Sequence, residues 1–143
     1  MEIKNYVLGE WISGEGAEID HIHAITGEII STTSSKGLDF SSILEYGRKK
    51  GSFGLRKMTF QQRGEMLKSL ALHLNKRKEV FYTLSKATGA TRIDSWIDID
   101  GGIGNLFANA SLRRQFPDLP YYIDGQMVNL SKNGTFIGHH IMV

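Results

Sequence analysis

Asp94, Asp98 and Asp100 form an acidic cluster near the middle of the chain. Asp94 and Asp98 are four residues apart, which places them on one face of a helix. Paired carboxylates there can share general acid and base work or hold a hard cation. They also follow Thr91 in the first turns of the expected helix, where negative charge answers the positive end of the helix dipole. That electrostatic role accounts for them without a reaction. His21-x-His23 sets two imidazoles on one strand face, a spacing that zinc sites use. No third ligand is fixed beside it, and a solvent-facing strand explains the pair. His139 and His140 are adjacent, so they point to opposite faces of a strand and do not chelate together. Gly101-Gly102-Ile103-Gly104 invites comparison with a phosphate loop, but it matches neither GxGxxG nor GxxxxGK[ST] and follows no strand. No nucleophile elbow GxSxG is present. The 143 residues contain no cysteine, which removes disulfides, thiolate metal sites and sulfur nucleophiles from this segment. On the residues alone, no catalytic, cofactor-binding or metal-binding position is assigned.

The elements that must position these groups follow from pattern. A chain of 143 residues with 41% hydrophobic and 22% charged content has the size and balance of about one globular domain. A net charge of +2 is too small to call for nucleic acid or an anionic membrane as partner. The basic clusters Arg48-Lys49-Lys50 and Lys76-Arg77-Lys78 read as solvated helix ends. No apolar run reaches the length of a membrane span and no signal-peptide core is visible at the N-terminus, so a cytoplasmic location is expected.

Residues 6–12, YVLGEWI, read as a β segment, and residues 17–33 as two strands around Thr26-Gly27. Ile19, His21, His23 and Ile25 share one face of the first arm. Asp39 caps a helix with the apolar stripe Phe40, Ile43, Leu44 and Gly47, expected to end at Gly51. Thr59-Phe60-Gln61-Gln62 has the form of a capping box. The helix it opens carries Leu67, Leu70, Leu74, Phe81 and Leu84 in a three-four stripe, with a break expected at residues 75–78 and Gly89 past its end. A third helix starts at Thr91, with Asp94 three residues on. Its interior glycines each cost about 0.8–1 kcal/mol relative to alanine. Close approach of another helix or strand is the expected reason for them.

After Pro117 and Pro120 the pattern returns to β. Asn133-Gly134 predicts a two-residue hairpin loop, which sets Lys132 opposite Thr135, Leu130 opposite Ile137 and Val128 opposite His139. Val128, Leu130, Ile137 and Ile141 then share one face. Residues 120–143 are thus a β-ribbon with apolar surface on both sides. Such a ribbon is marginal alone and should dock on a partner. Val128, Leu130, Phe136, Ile137, His139 and Ile141 are the candidate oligomer-interface residues.

The order YVLGEW, ITGEII, QQRGEMLKSLALHL, YTLSKATGA resembles the N-terminal part of an aldehyde dehydrogenase. The matching positions are Gly9 to Trp11, Thr26 to Glu28, Arg63, and Thr88-Gly89. Ala87-Thr88-Gly89-Ala90 departs from the family in lacking the usual glutamate and lysine. ATGATRIDSWIDIDGGIGNLFANASL, from Ala87 to Leu112, is similar to the branch of that family that acts in phenylacetate degradation. Members of that branch join a dehydrogenase domain to a hydratase-like domain that opens oxepin-CoA. The resemblance implies an α/β fold in which residues 1–143 are the N-terminal part of a dehydrogenase domain with an incomplete nucleotide-binding core. It further implies a parent that oxidises a CoA-linked semialdehyde with NAD or NADP, using a cysteine nucleophile located beyond Val143. The segment itself would bind no cofactor and would be structural. Its partners would be the remainder of the dehydrogenase chain and, through the ribbon, further copies. A stand-alone binding or assembly module is the rival reading, and a small hydrolase using Asp94 or Asp98 a third.

Overall fold

The computed structural model describes residues 2–16, 18–124, 128, 129, 132, 135, 136 and 140–142, and from residue 128 onward, Lys132 apart, it describes backbone only. Helices and small sheets mix along the chain. Strands β1 (Glu2–Ile3), β4 (Ile19–Ile22) and β5 (Ile29–Thr33) form a sheet in the order β1-β5-β4, with β1 parallel and β4 antiparallel to β5. Between them β2 (Asn5–Val7) and β3 (Glu10–Ile12) make a hairpin, so the segment YVLGEW is two strands rather than one. Its turn is Leu8-Gly9, at φ 57° and 91°. Positive φ at both central residues is the type I′ pattern that matches strand twist, with leucine in the place that asparagine usually takes. The Asn5 amide donates to the Ser34 carbonyl at 2.7 Å and ties this hairpin to the end of β5.

The two strands around Thr26-Gly27 are present, but the shared face does not run as far as Ile25. The register shifts between His21 and Ile22, and the strand ends at Ile22. His23 belongs to the turn, its N–H donating to Glu28 O and its carbonyl accepting from Gly27 N, both at 2.8 Å. Ala24 N donates to Ala87 O at 2.8 Å, which joins this turn to the helical layer.

Helix α1 (Phe40–Tyr46) is capped by the Asp39 side chain. It does not stop at Gly51: the backbone widens into a π-helical stretch over Gly47–Ser52 and continues as α2 (Phe53–Lys57). None of its residues is buried, and Phe40 and Leu44 of the expected stripe are exposed.

The helical layer is α3 (Phe60–Lys76), α4 (Lys78–Lys86) and α5 (Arg92–Ser111), followed by a 3-10 turn over Leu112–Gln115. The expected capping box of Thr59 with Gln62 is formed, and Thr91 makes a second one with Asp94. Each such cap contributes about 1 kcal/mol. The break falls at Arg77, at φ −110° and ψ 6°, and Gly89 lies past α4 at φ +82°. Among the described residues, the buried apolar ones are Ala71, Tyr82, Ile103 and Ala110, all on these three helices. Among the glycines of these helices the tightest is Gly64 in α3, where an added Cβ would lie 2.6 Å from Arg113 Cδ and 2.9 Å from Ala110 O. At Gly101, Gly102 and Gly104 of α5 it would meet nothing within 4 Å. The close contact expected at the α5 glycines is therefore made at Gly64 instead.

Strands β6 (Tyr122–Asp124) and β9 (His140–Met142) pair antiparallel, as do β7 (Val128–Asn129) and β8 (Thr135–Phe136). The ribbon exists, but its register differs from that of a two-residue Asn133-Gly134 loop. Val128 is opposite Phe136, not His139, and Asn129 is opposite Thr135, so Lys132 does not face Thr135. Five residues then separate the paired positions. Leu130, Asn133, Gly134, Ile137 and His139 lie outside the described residues.

Two glycine substitutions should move stability in opposite directions. Gly64→Ala forces a methyl group against backbone and a fixed side chain and should lower stability by about 1–3 kcal/mol. Gly101→Ala fills open space in a helix and should raise it by up to about 1 kcal/mol. Urea denaturation of the two variants checks both signs.

Candidate functional site

Polar chemistry concentrates where α4 meets α5. Lys78 and Tyr82 are four apart on α4 and reach the same carboxylate. Lys78 Nζ donates to Asp100 Oδ1 at 2.7 Å, and the Tyr82 hydroxyl donates to Asp100 Oδ2. The Arg92 guanidinium lies 5.1 Å from the centre of the Tyr82 ring. Hydrogen bonds from Lys78 and then Tyr82 hold the Asp100 carboxyl below the usual carboxylate range. The same bond to Asp100, with burial and the nearby negative charge, pushes the Tyr82 phenol up to about 12. One turn away the hydroxyls of Ser85 and Ser95 lie 2.8 Å apart, and Ser95, at 2% exposure, also donates to Thr91 O. These groups bind the two helices together.

Beside this junction an open crevice of about 610 Å³ runs between α3, α4 and α5. Its walls are apolar, with Leu74, Phe81, Leu84, Ile99, Ile103 and Leu106 among them, and Asp94 and Asp98 lie on its border. Asp94 Oδ2 accepts from the Thr91 hydroxyl at 2.6 Å and from Thr91 N at 3.2 Å. The hydroxyl bond first and the backbone bond second lower its affinity for a proton. A general base works best with a pKa near the operating pH, so Asp94 is built as a helix cap. The acidic cluster thus does not act as one group: Asp94 serves Thr91 and Asp100 serves α4. The apolar crevice suits a hydrophobic occupant.

The remaining sequence candidates are dispersed. His23 Nδ1 accepts from Ile25 N at 3.2 Å and Thr26 N at 3.3 Å, so the imidazole shapes the turn. His21 stays on β4 opposite Ser31. No cluster of three or more histidines and carboxylates able to hold a metal ion occurs among the described residues. Gly101-Gly102-Ile103-Gly104 lies inside α5, with its N–H groups directed along the helix, and does not form a dinucleotide cradle. Of the interface candidates, Val128 and Phe136 face each other across the ribbon and Ile141 is opposite Ile123. Leu130, Ile137 and His139 lie outside the described residues. The Tyr82–Asp100–Lys78 group went unread in the sequence. The i, i+4 spacing of Lys78 and Tyr82 was its only local sign, because Asp100 lies eighteen residues past Tyr82.

No protein-family model matches the chain. The chain is similar along all of its length to the 3,4-dehydroadipyl-CoA semialdehyde dehydrogenase of Aromatoleum evansii, with 30% identity over 144 aligned residues. It spans 28% of the length of that curated relative. The similarity supports a dehydrogenase-derived segment and does not distinguish the ring-opening branch.

The Asp100 junction sets a pH window for stability. Asp100 has a lowered pKa in the folded chain, so its contribution is present above the unfolded value near 3.8 and fades as pH falls through the folded value. Tyr82 has a raised one, so its contribution is present below 10.0 and fades as pH rises through about 12. Thermal melts against pH should show both limbs. Tyr82→Phe should flatten the alkaline limb relative to the parent, and Asp100→Asn should flatten both. An alkaline limb unchanged in Tyr82→Phe would assign it to other groups.

Proposed function

We propose that this chain is the structural and subunit-contact portion of a nicotinamide-dependent aldehyde dehydrogenase that oxidises a CoA-linked semialdehyde. The observation that carries this reading is the end-to-end match to about a quarter of a CoA-semialdehyde dehydrogenase. Chemistry supports it. Aldehyde oxidation by this route needs a thiolate to attack the carbonyl, and the 143 residues hold no cysteine. No step of the reaction is placed on this segment in this reading. In this reading the helices α3, α4 and α5 brace the cofactor-binding part, and the ribbon of β6 to β9 serves assembly. Aromatic catabolism, including that of phenylacetate, is the setting in which such CoA-linked semialdehydes arise in the resembled branch.

The amount of uncovered apolar surface favours the same reading. Ile19, Ile25, Phe40, Phe53, Leu84 and Trp96 are each more than half exposed. Surface of that kind, when contiguous, marks contact with further polypeptide.

Two measurements test the proposal. The purified chain, given a CoA-linked semialdehyde and either NAD or NADP, should produce no reduced cofactor; turnover would refute the structural role. The reading frame after codon 143 should continue into βαβ units and a cysteine. A stop codon there would transfer the assignment to a separate assembly module.

A further inference from the structure

The loop between β4 and β5 closes on a histidine. His23 N–H donates to Glu28 O, and the His23 carbonyl accepts from Gly27 N. The side chain works inside the same loop. Its half-buried imidazole accepts through Nδ1 from Ile25 N at 3.2 Å and from Thr26 N at 3.3 Å. These are the donors two and three residues on, the pair that aspartate, asparagine or serine satisfies at a helix start. An oxygen accepts there throughout the neutral range, whereas an imidazole nitrogen accepts only while it carries no proton. The loop also joins two layers. Ala24 N donates to Ala87 O at 2.8 Å. Among the described residues this is the only backbone hydrogen bond between the strands of residues 2–33 and the helices from α3 onward. Gly89 approaches the same alanine, since a Cβ there would lie 3.4 Å from Ala24 Cβ. Thr88 and Ala90 line the apolar crevice.

We propose that His23 is a proton-sensitive clasp: the neutral imidazole closes this loop, and protonation releases it together with residues 87–90 at the crevice. Imidazoles change charge between about pH 5 and 8. A proton on Nδ1 would stand where the amides of Ile25 and Thr26 already point. Both bonds are then lost and three donors face one another, so the ring turns away or the loop opens. The open loop binds one proton more than the closed one. Closure is therefore favoured as pH rises and weakens as pH falls through the imidazole range. The other titratable groups of the elements that meet here are Asp20 and His21 on β4, Glu28 in the loop, and Lys86 and Arg92 on either side of residues 87–90. None of them forms an ion pair with His23 among the described residues. Glu28 Oε2 instead accepts from the Thr26 hydroxyl at 3.3 Å.

The clasp depends neither on the dehydrogenase reading nor on the ribbon. An NMR titration of the chain from about pH 8 to about pH 5 tests it. The Ile25 and Thr26 amide signals should move with the His23 ring signal and share its midpoint. Exchange of the Ala24 amide, corrected for the intrinsic effect of pH, should quicken about fivefold toward acid, the ratio that one ordinary hydrogen bond is worth. His23→Asn keeps an acceptor in place and has no proton to gain, so it should hold the loop closed and abolish both changes. His23→Ala should leave the Ala24 amide in fast exchange at either pH. His21→Asn should behave as the parent does. Amide signals of Ile25 and Thr26 that ignore the His23 midpoint would overturn the proposal. So would acid loosening that persists in His23→Asn, or an Ala24 amide as well protected in His23→Ala as in the parent.

Discussion

The crossing of α3 and α5 depends on a side chain that is not there. At Gly64 the helices come close enough that a methyl group would collide with Arg113 and with the Ala110 carbonyl. This contact fixes what is built around it. Gln61 reaches the carbonyls of Arg113 and Phe116 at 2.9 and 3.2 Å, and Arg63 reaches that of Pro120 at 2.9 Å. The Arg63 guanidinium also lies 4.3 Å from the centre of the Phe60 ring. Phe60 stacks on Phe116, and Phe116 meets the edge of Tyr122, with ring centres 4.6 and 5.4 Å apart. Through these rings the start of the β-ribbon is placed against the helices. A shift of the crossing by the width of a methyl group would be passed along the whole series, because packed interiors do not absorb such changes.

What could be read from the sequence was chemistry that closes within a few residues. Thr59 with Gln62, Thr91 with Asp94 and Asp39 with Ser42 are all contacts three residues apart, and each is formed. The break at Arg77 follows a run of charge in an apolar stripe. What could not be read depends on partners far along the chain. The glycines of α5 read as a packing site, whereas the single Gly64 meets residues 46 and 49 positions later. The ribbon register was inferred from a favoured turn dipeptide, and the observed pairing follows a longer connection. Likewise, the alternation through His21, His23 and Ile25 was correct in type but was cut by a register shift that depends on β5.

The acidic cluster shows the same division. As a string, Asp94, Asp98 and Asp100 suggest carboxylates working together. In space their bonds point outward from one another, Asp94 to its own helix start and Asp100 to α4. Asp94 and Asp100 have their affinity for a proton lowered by donors that also hold secondary structure in place. A carboxylate committed in this way stabilises a fold at neutral pH and is a poor proton acceptor. Asp94 and Asp100 are thus spent on joining elements of the chain.

The composition of α5 carries that point furthest. Gly101, Gly102 and Gly104 together weaken the helix by about 3 kcal/mol relative to alanine, a large share of the stability of an ordinary domain. No contact among the described residues offsets this, since none of the three has a neighbour there where a side chain would stand. The three do not share one side. Gly102 lines the crevice, while Gly101 and Gly104 are exposed on the side of Ile97. A single partner approaching from one direction would account for one set and leave the other unexplained. Bare backbone therefore faces two directions from the one helix.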